Sequence, residues 1–354
     1  MERKKMQYPL TFKAAILREI NKPLSVESVS FNGPLQPGQV MVRVFYSGIC
    51  GKQIEEISGA SGPDKFLPHM LGHEGSGIVL DIGPGVSKVA VGDKVVLHWV
   101  KSGGIDAPTP IYFQEGKRIN AGWVTTFNEY AVVAENRMTK VPGDTNLSVA
   151  CLLGCAVTTG IGVIINEARV KPGDSVAIFG CGGVGLNAIQ GAVLVNAFPI
   201  IAVDKNPEAL KLAKDFGATH CVLVKDQDPV ISVKALTDGV GAEFVIITNS
   251  DIKGAEMAVE AGRIPGTVFF TGVPAKDSFF SIRPFAIHCQ RSLLGSYGGG
   301  TVPERDIIRY LMLAQQKKIR LVELVSQRIK LEEVNEGIRC LTKGVPGRCV
   351  IDMS

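Results

Sequence analysis

The sequence has no CxxC pair, little net charge and no long uninterrupted apolar run. Each absence excludes a class of protein. The eight cysteines stand apart, at 50, 151, 155, 181, 221, 289, 340 and 349. Eight in 354 residues is not the density of a small disulfide-stapled secreted domain. Reduced thiols in a cytosol-like, cytoplasmic compartment are expected. A formal charge of +4 is too small to suggest a nucleic-acid partner, and the one dense basic run is Arg3-Lys4-Lys5 at the start. The opening stretch MERKKMQYPLTFKAAIL lacks the apolar core and cleavage site of a signal peptide. The most apolar stretch, 175–203, is broken by glycines, Asn187, Gln190 and Pro199, and its period changes partway. No membrane span is expected there.

What is present is an ordinary globular composition, 45% hydrophobic and 20% charged, long enough for two domains. Up to about residue 150 the chain reads as short strands: 12–17, 40–46, 77–82, 94–99 and 127–133. Between them lie turns such as Gly83-Pro-Gly and Gly92-Asp. This pattern predicts a β-rich, barrel-like unit. Residues 101–120 show no periodicity and read as a long surface loop. From Ser175 the pattern changes. Apolar runs at 176–179, 200–203, 221–224, 244–247, 267–270 and 293–297 alternate with helical or connector segments. That is the pattern of a doubly wound parallel sheet, so the fold class is α/β. Two helices, 304–316 and 331–341, and a strand, 348–352, close the chain.

The clearest motif is Gly180-Cys-Gly182-Gly183-Val184-Gly185, which follows the first apolar run and opens a helix. In that setting the first glycine allows a tight turn. The second lets backbone approach a pyrophosphate, and the last permits close helix–strand packing. The helix N-terminus then faces the anion. Asp204 ends the next strand, 19 positions after Gly185. A carboxylate there accepts from ribose hydroxyls and repels a 2′-phosphate, which favours NAD over NADP. Lys205 beside it is a cation able to accommodate phosphate, and a solvated strand-end acid is the plainer reading of Asp204.

A second constellation resembles a metal site. Cys50, His73 and Cys155 each have glycine as a neighbour in sequence. A Cys₂His set leaves a fourth tetrahedral position open, as in catalytic zinc centres. The three are far apart in sequence. Buried core thiols and a hydrogen-bonded histidine are the alternative reading.

Taken in order, Gly72-His73-Glu74-Gly75, Gly83-Pro-Gly-Val86 to Gly92-Asp-Lys-Val95, Gly154-Cys155, the glycine fingerprint, Gly272-Val273-Pro274 and Gly295-Ser-Tyr-Gly-Gly resemble the zinc-dependent medium-chain alcohol dehydrogenases over nearly the whole chain. The resemblance implies a GroES-like catalytic domain, 1–156 and 299–354, and a Rossmann domain, 157–298, with the site in the cleft between them. It implies one catalytic Zn²⁺ per chain on Cys50, His73 and Cys155, with Glu74 beside it as an electrostatic group or transient ligand. Cysteine at 155 resembles the class I and III branch. The resemblance also places Thr159 near a nicotinamide, the Val273 backbone at its carboxamide and Arg348 on the pyrophosphate. The implied reaction is hydride transfer between NAD and an alcohol, with zinc as Lewis acid on the substrate oxygen.

Three departures stand out. The four clustered cysteines of the family's structural zinc lobe are missing between His98 and Gly122, so no structural zinc is expected. After Cys50 the chain reads Gly51, Lys52, Gln53, in place of the relay hydroxyl and the aspartate that orients the histidine. Finally, Trp99 to Trp123 replaces the usual lobe and reshapes the pocket rim. Lys52 is then a candidate general base, an anion-binding cation or a bystander. The polar residues Lys52, Gln53, Glu55 and Glu56 favour a sugar, cyclitol or nucleotide-linked alcohol. A simple aliphatic alcohol, a thiol-adduct alcohol and a catalytically silent NAD-binding protein are the competing readings. The sixth strand, 293–297, is expected at a sheet edge, where two copies join as a homodimer or a tetramer built from it.

Overall fold

The computed structural model describes residues 6–60 and 62–354. Its basic start, Arg3-Lys4-Lys5, lies outside the described residues. The strand Gln39–Gly48 is the spine of the first half of the chain. Its backbone pairs on both edges, and its valines at alternate positions face one core. It runs antiparallel to Glu74–Ile82 and Tyr130–Ala134 along its length, and to Arg348–Asp352 near its end. The last strand of the chain therefore belongs to the same seven-stranded sheet as the first half. A five-stranded sheet around Leu10–Leu17 and Ser25–Phe31 packs against it. Val40, Val42, Val44, Leu97, Phe127 and Ile351 fill one shared core.

The second half forms the expected parallel sheet. Its strands run in the order 220–223, 200–204, 176–179, 242–247, 262–270, 291–295. The order reverses at Val176–Phe179, which makes the end of that strand a topological switch point, the place where open α/β sheets bind ligands. The stretch 175–203 is thus a strand, the buried helix Gly183–Leu194 and a second strand. The edge strand is Arg291–Gly295, two residues earlier than the apolar run suggested. It stops soon after, because the chain enters Gly298, Gly299 and Gly300, all left-handed with φ of 62, 66 and 58°.

Two elements differ from the sequence reading. Ser25–Phe31 is a strand, though its Ser and Glu content hid it; it is held by seven paired positions with Leu10–Leu17. The segment 101–120 is not loop throughout. Tyr112–Gln114 and Lys117–Ile119 form a hairpin whose turn residues, Glu115 and Gly116, both have positive φ, the geometry that matches strand twist in two-residue hairpins.

The remainder of that segment is pinned by one carboxylate. Glu135, almost wholly buried, accepts backbone N–H bonds from Ser87 at 2.7 Å, Lys88 at 2.6 Å and Ile105 at 2.8 Å. Lys88 adds an ion pair to Glu304 at 2.6 Å and a bond to Ser102 at 2.8 Å. His98 is buried between the Val100 carbonyl and the Thr139 hydroxyl, and burial pushes it down to about 4, so it is neutral and structural. Burial by itself raises the Glu135 carboxyl, but the three N–H donors outweigh it and hold the group below the usual carboxylate range. Its contribution is therefore full above the unfolded value and is lost as pH falls through the depressed folded one. Glu135→Ala leaves three N–H groups unsatisfied. It is expected to cost ~2–3 kcal/mol in urea unfolding at neutral pH, with a difference from wild type that shrinks in acid.

Candidate metal and cofactor site

Three local structures bring the metal-like set together. Cys50 follows the spine strand and caps the helix Gly51–Ser58. His73 precedes the strand Glu74–Ile82, which pairs with the spine. Cys155 stands where the helical turn Cys151–Gly154 meets the helix Ala156–Gly162. Gly154 is required there, because a Cβ would lie 2.3 Å from the Leu97 carbonyl oxygen. The ligand atoms of Cys50, His73 and Cys155 all lie within 4.8 Å of one another, a spacing that one cation can span. Cys151, by contrast, is a core thiol, pushed up to about 12 by burial.

The thiols behave as a coupled pair. The Cys155 thiol donates to Cys50, and His73 lies beside it. Together these hold Cys50 well below the ordinary thiol value, while Cys155 is pushed up by the same contact and by burial. A thiolate next to an imidazole is a soft, negative donor set, which suits zinc.

The histidine has an orienting partner after all. The aspartate of the resembled family is absent, but Gln53 takes its place. The Gln53 side chain is fully buried, and its Nε2 lies 2.7 Å from His73 Nδ1. Its Oε1 accepts the Cys50 N–H at 2.9 Å. One amide thus contacts two of the three ligand residues, its oxygen taking the Cys50 N–H and its NH2 lying against the His73 ring. The sequence reading noted the missing aspartate; the position three residues after Cys50, inside one helical turn, is the signal that could have found its replacement.

Glu74 lies outside the three-residue cluster. It is fully buried, and its carboxylate pairs with the Arg348 guanidinium and accepts the Ala156 N–H at 3.1 Å. Arg348 in turn lies against the fingerprint: a Cβ on Gly183 would meet its Cδ at 2.2 Å. One arginine therefore touches both the metal layer and the cofactor layer. Lys52 is paired with Glu55 at 3.1 Å in the same helix turn, both half-buried. Burial raises the carboxyls of Glu55 and Glu56, with Lys52 opposing it in both.

The fingerprint adopts the required geometry. Gly180 has φ of 97°, and a Cβ on Gly185 would collide with the Gly180 carbonyl at 1.9 Å. Gly182 faces open space and caps the helix Gly183–Leu194, with Val184 in its first turn. Asp204 closes the turn from the side, accepting from Cys181 N–H at 2.7 Å and Asn206 N–H at 2.8 Å. A cleft of about 490 Å³ opens here, lined by Gly182, Asp204, Lys205, Lys225 and the segment 343–347. Lys225 and Lys343 were not anticipated, since neither lies near the motif in sequence. Thr159 is buried one helical turn after Cys155, its N–H donating to the Cys155 carbonyl at 2.9 Å, and Val273 is exposed on the loop after Gly262–Phe270.

Comparison with known proteins supplies the deciding observation. Residues 36–143 match the alcohol dehydrogenase GroES-like domain, and 183–315 match the zinc-binding dehydrogenase domain. An S-(hydroxymethyl)glutathione dehydrogenase of Synechocystis is 33% identical over 96% of this chain and 99% of its own. The chain belongs to the zinc-dependent alcohol dehydrogenase family. The enzyme of the same name from Escherichia coli O1:K1 is also 33% identical, over 96% of this chain and 99% of its own. Among solved structures, an alcohol dehydrogenase zinc-binding domain protein from Burkholderia ambifaria superposes with a TM-score of 0.91 at 27% identity, covering 98% of this chain and 100% of the other. A benzyl alcohol dehydrogenase from Acinetobacter calcoaceticus gives 0.88 at 29%, with the same coverage. Membership makes the protein an oxidoreductase and implies zinc and NAD.

The Cys₂His donor set fits a zinc ion. If Gln53 holds both Cys50 and His73 in place, Gln53→Leu is expected to lower zinc affinity ~10–100-fold while the fold survives. Chelator competition followed by elemental analysis measures it.

Proposed function

We propose that the protein interconverts a polar alcohol and its carbonyl with NAD(H), using zinc on Cys50, His73 and Cys155. The observation that carries this reading is the thiolate–imidazole cluster set one arginine away from a dinucleotide fingerprint. Bound zinc supplies a Lewis acid for the substrate oxygen, and bound nicotinamide supplies the hydride acceptor. The chain does the rest. Gln53 orients His73, Arg348 meets the pyrophosphate from the Gly183 side, and Asp204 accepts from the adenosine ribose, which favours NAD. The Thr159 hydroxyl and the Val273 backbone face the nicotinamide end. Glu74 remains an electrostatic neighbour held by Arg348. Lys52, held by Glu55, is a donor in its charged form, so it serves the substrate as a hydrogen-bonding group rather than as the relay hydroxyl it replaces.

The polar character of the helix Gly51–Ser58 supports a hydroxylated substrate over a long alkyl chain. The relatives named S-(hydroxymethyl)glutathione dehydrogenase support a second substrate reading, a thiol-adduct alcohol. Purified protein is expected to hold about one zinc per chain and to reduce NAD⁺ with members of a panel of polyols, alkanols and a hydroxymethyl thiol adduct. Cys155→Ser is expected to lose zinc and turnover and to keep NAD binding. Full activity in that variant overturns the ligand assignment; a metal-free wild type that turns over nothing supports a silent cofactor-binding protein.

We also propose a homodimer joined at the strand Arg291–Gly295. Among the described residues it ends the parallel sheet with one side unpaired, and Leu294, Phe285 and Ile287 are exposed around it. An exposed apolar edge is a liability unless it is covered. Light scattering at micromolar concentration is expected to give a dimer or a multiple of it, and a monomer overturns the proposal.

A further inference from the structure

At the end of the parallel sheet away from the fingerprint, a second cleft of about 440 Å³ opens. It lies between the starts of the strands Val176–Phe179, Ala242–Ile247 and Gly262–Phe270 and the end of a helical run. An irregularity in the sheet builds it. From the pair Ala242 and Gly262 to the pair Phe244 and Thr267, one strand advances two residues and its neighbour five. The extra residues loop out and bring Arg263 and Pro265 to the cleft wall. Bulges re-aim side chains in this way beside binding sites. Gly266 lets the bulge close, since a Cβ there would meet the Arg263 carbonyl oxygen at 2.7 Å.

One guanidinium in this cleft is held in advance. Arg263 Nη1 pairs with Glu243 Oε1 at 2.7 Å, and its Nε donates to the Pro265 carbonyl at 3.0 Å. Glu243 is itself fixed, its Oε2 accepting the Ser175 N–H at 2.6 Å and the Ser175 hydroxyl at 3.3 Å. Asp174, the other acid of the cleft, accepts the Lys171 N–H at 2.8 Å. Both acids therefore have protein donors. The remaining cations, Arg169 and Lys171, differ: among the described residues neither side chain makes a hydrogen bond or an ion pair. Arg169 ends the helical run Ala156–Gly162 and Val163–Ala168 in the left-handed region, with φ of 53°. That conformation is uncommon for a residue with a Cβ, and such outliers cluster at ligand clamps.

Three basic groups against two engaged carboxylates leave the cleft with a surplus of positive charge. A guanidinium fork matches the oxygens of a carboxylate or a phosphate. The walls also carry the half-buried Phe244 and the exposed Pro265, and the volume is that of a small-molecule pocket, larger than a bare ion needs. We propose that this cleft binds an organic dianion, a phosphate ester or a dicarboxylate. Its oxygens meet Arg263, Arg169 and Lys171, and its carbon part lies on Phe244 and Pro265. The site is separate from the metal cluster. Cys155 stands at the other end of the helical run, whose 7 and 6 residues span roughly 20 Å. Binding here needs neither zinc nor turnover, so its test is distinct from that of the dehydrogenase reading.

The test is calorimetric titration of the full chain saturated with NAD⁺, which fills the anion subsite at the fingerprint. Phenyl phosphate and phthalate stand for the two sources of the dianion, and sulfate for the bare ion. One of the organic dianions is expected to bind at about one per chain, ~10-fold or more tighter than sulfate, and the tighter of the two names the source. Arg169→Gly is expected to weaken it ~10–100-fold, as a hydrogen bond to a charged group is lost. Glycine suits the left-handed backbone there, so the fold survives. Arg263→Lys keeps the charge and loses the fork, and is expected to weaken binding ~10-fold. Lys225→Ala, in the cofactor cleft, is expected to leave it unchanged. Binding lost in Lys225→Ala and kept in Arg169→Gly places the dianion in the cofactor cleft and overturns the proposal. Sulfate binding as tightly as the organic dianions, or no saturable heat with any of the three, overturns it too. If Arg169→Gly shifts Tm and leaves affinity as it was, Arg169 serves only the helix end, and the proposal fails.

Discussion

The buried ion pair of Arg348 and Glu74 is the contact on which the rest of the site depends. Both groups are withdrawn from water, at 3% and 0% exposure of their side chains. A pair this deep is not retained for stability alone, because desolvation offsets much of the Coulomb attraction. What it provides is position. Arg348 begins the last strand, which pairs with the spine strand beside Cys50. Glu74 begins the strand that follows His73. Gly183 opens the helix of the fingerprint and has no Cβ to keep the arginine out. Losing either charge leaves the other buried without a partner, at a cost of ~3–5 kcal/mol, and disturbs metal ligands and cofactor turn together.

Much of this architecture was legible from residues alone, for physical reasons. The parallel sheet announced itself because strands buried on both faces must be continuously apolar, as in Val176–Phe179 and Ile200–Val203. The fingerprint was legible because only glycine tolerates the Gly180 turn and the contact at Gly185. The metal ligands were a different matter. Cys50, His73 and Cys155 are scattered in sequence and meet through sheet pairing and the packing of a helical turn on it, so spacing could not join them; family resemblance did. Ser25–Phe31 escaped because its polar residues face outward on an antiparallel strand. Gln53 escaped because an amide carries no charge to mark it as the partner of a histidine. Lys343 came to the cofactor cleft through a strand pairing some 300 residues long in sequence, between 39–48 and 348–352.

The segment 99–120 shows how a lobe can be held by different chemistry. The resembled family clusters cysteines there; this chain has none between His98 and Gly122. Glu135 gathers three backbone N–H groups, and Lys88 ties the segment to Glu304. These contacts fix the backbone on either side of the segment that follows His98. Arg137 extends it, stacking its guanidinium 4.7 Å from the Trp123 ring.

The glycine trio at 298–300 has a consequence for how this protein can diverge. Its three residues form a turn of the hand opposite to every helix around it, and an L-residue in that conformation costs ~1–2 kcal/mol. The space is closed as well: a methyl on Gly299 would strike the Thr159 carbonyl oxygen at 2.4 Å, and one on Gly298 would strike Val100 at 2.8 Å. Only an achiral residue fits. Mutation can therefore explore the side chains around Trp99 on one side and the helix Ala156–Gly162 on the other, but the joint between them is barred to drift. Changes in substrate range must arise by swapping side chains around a backbone that stays fixed.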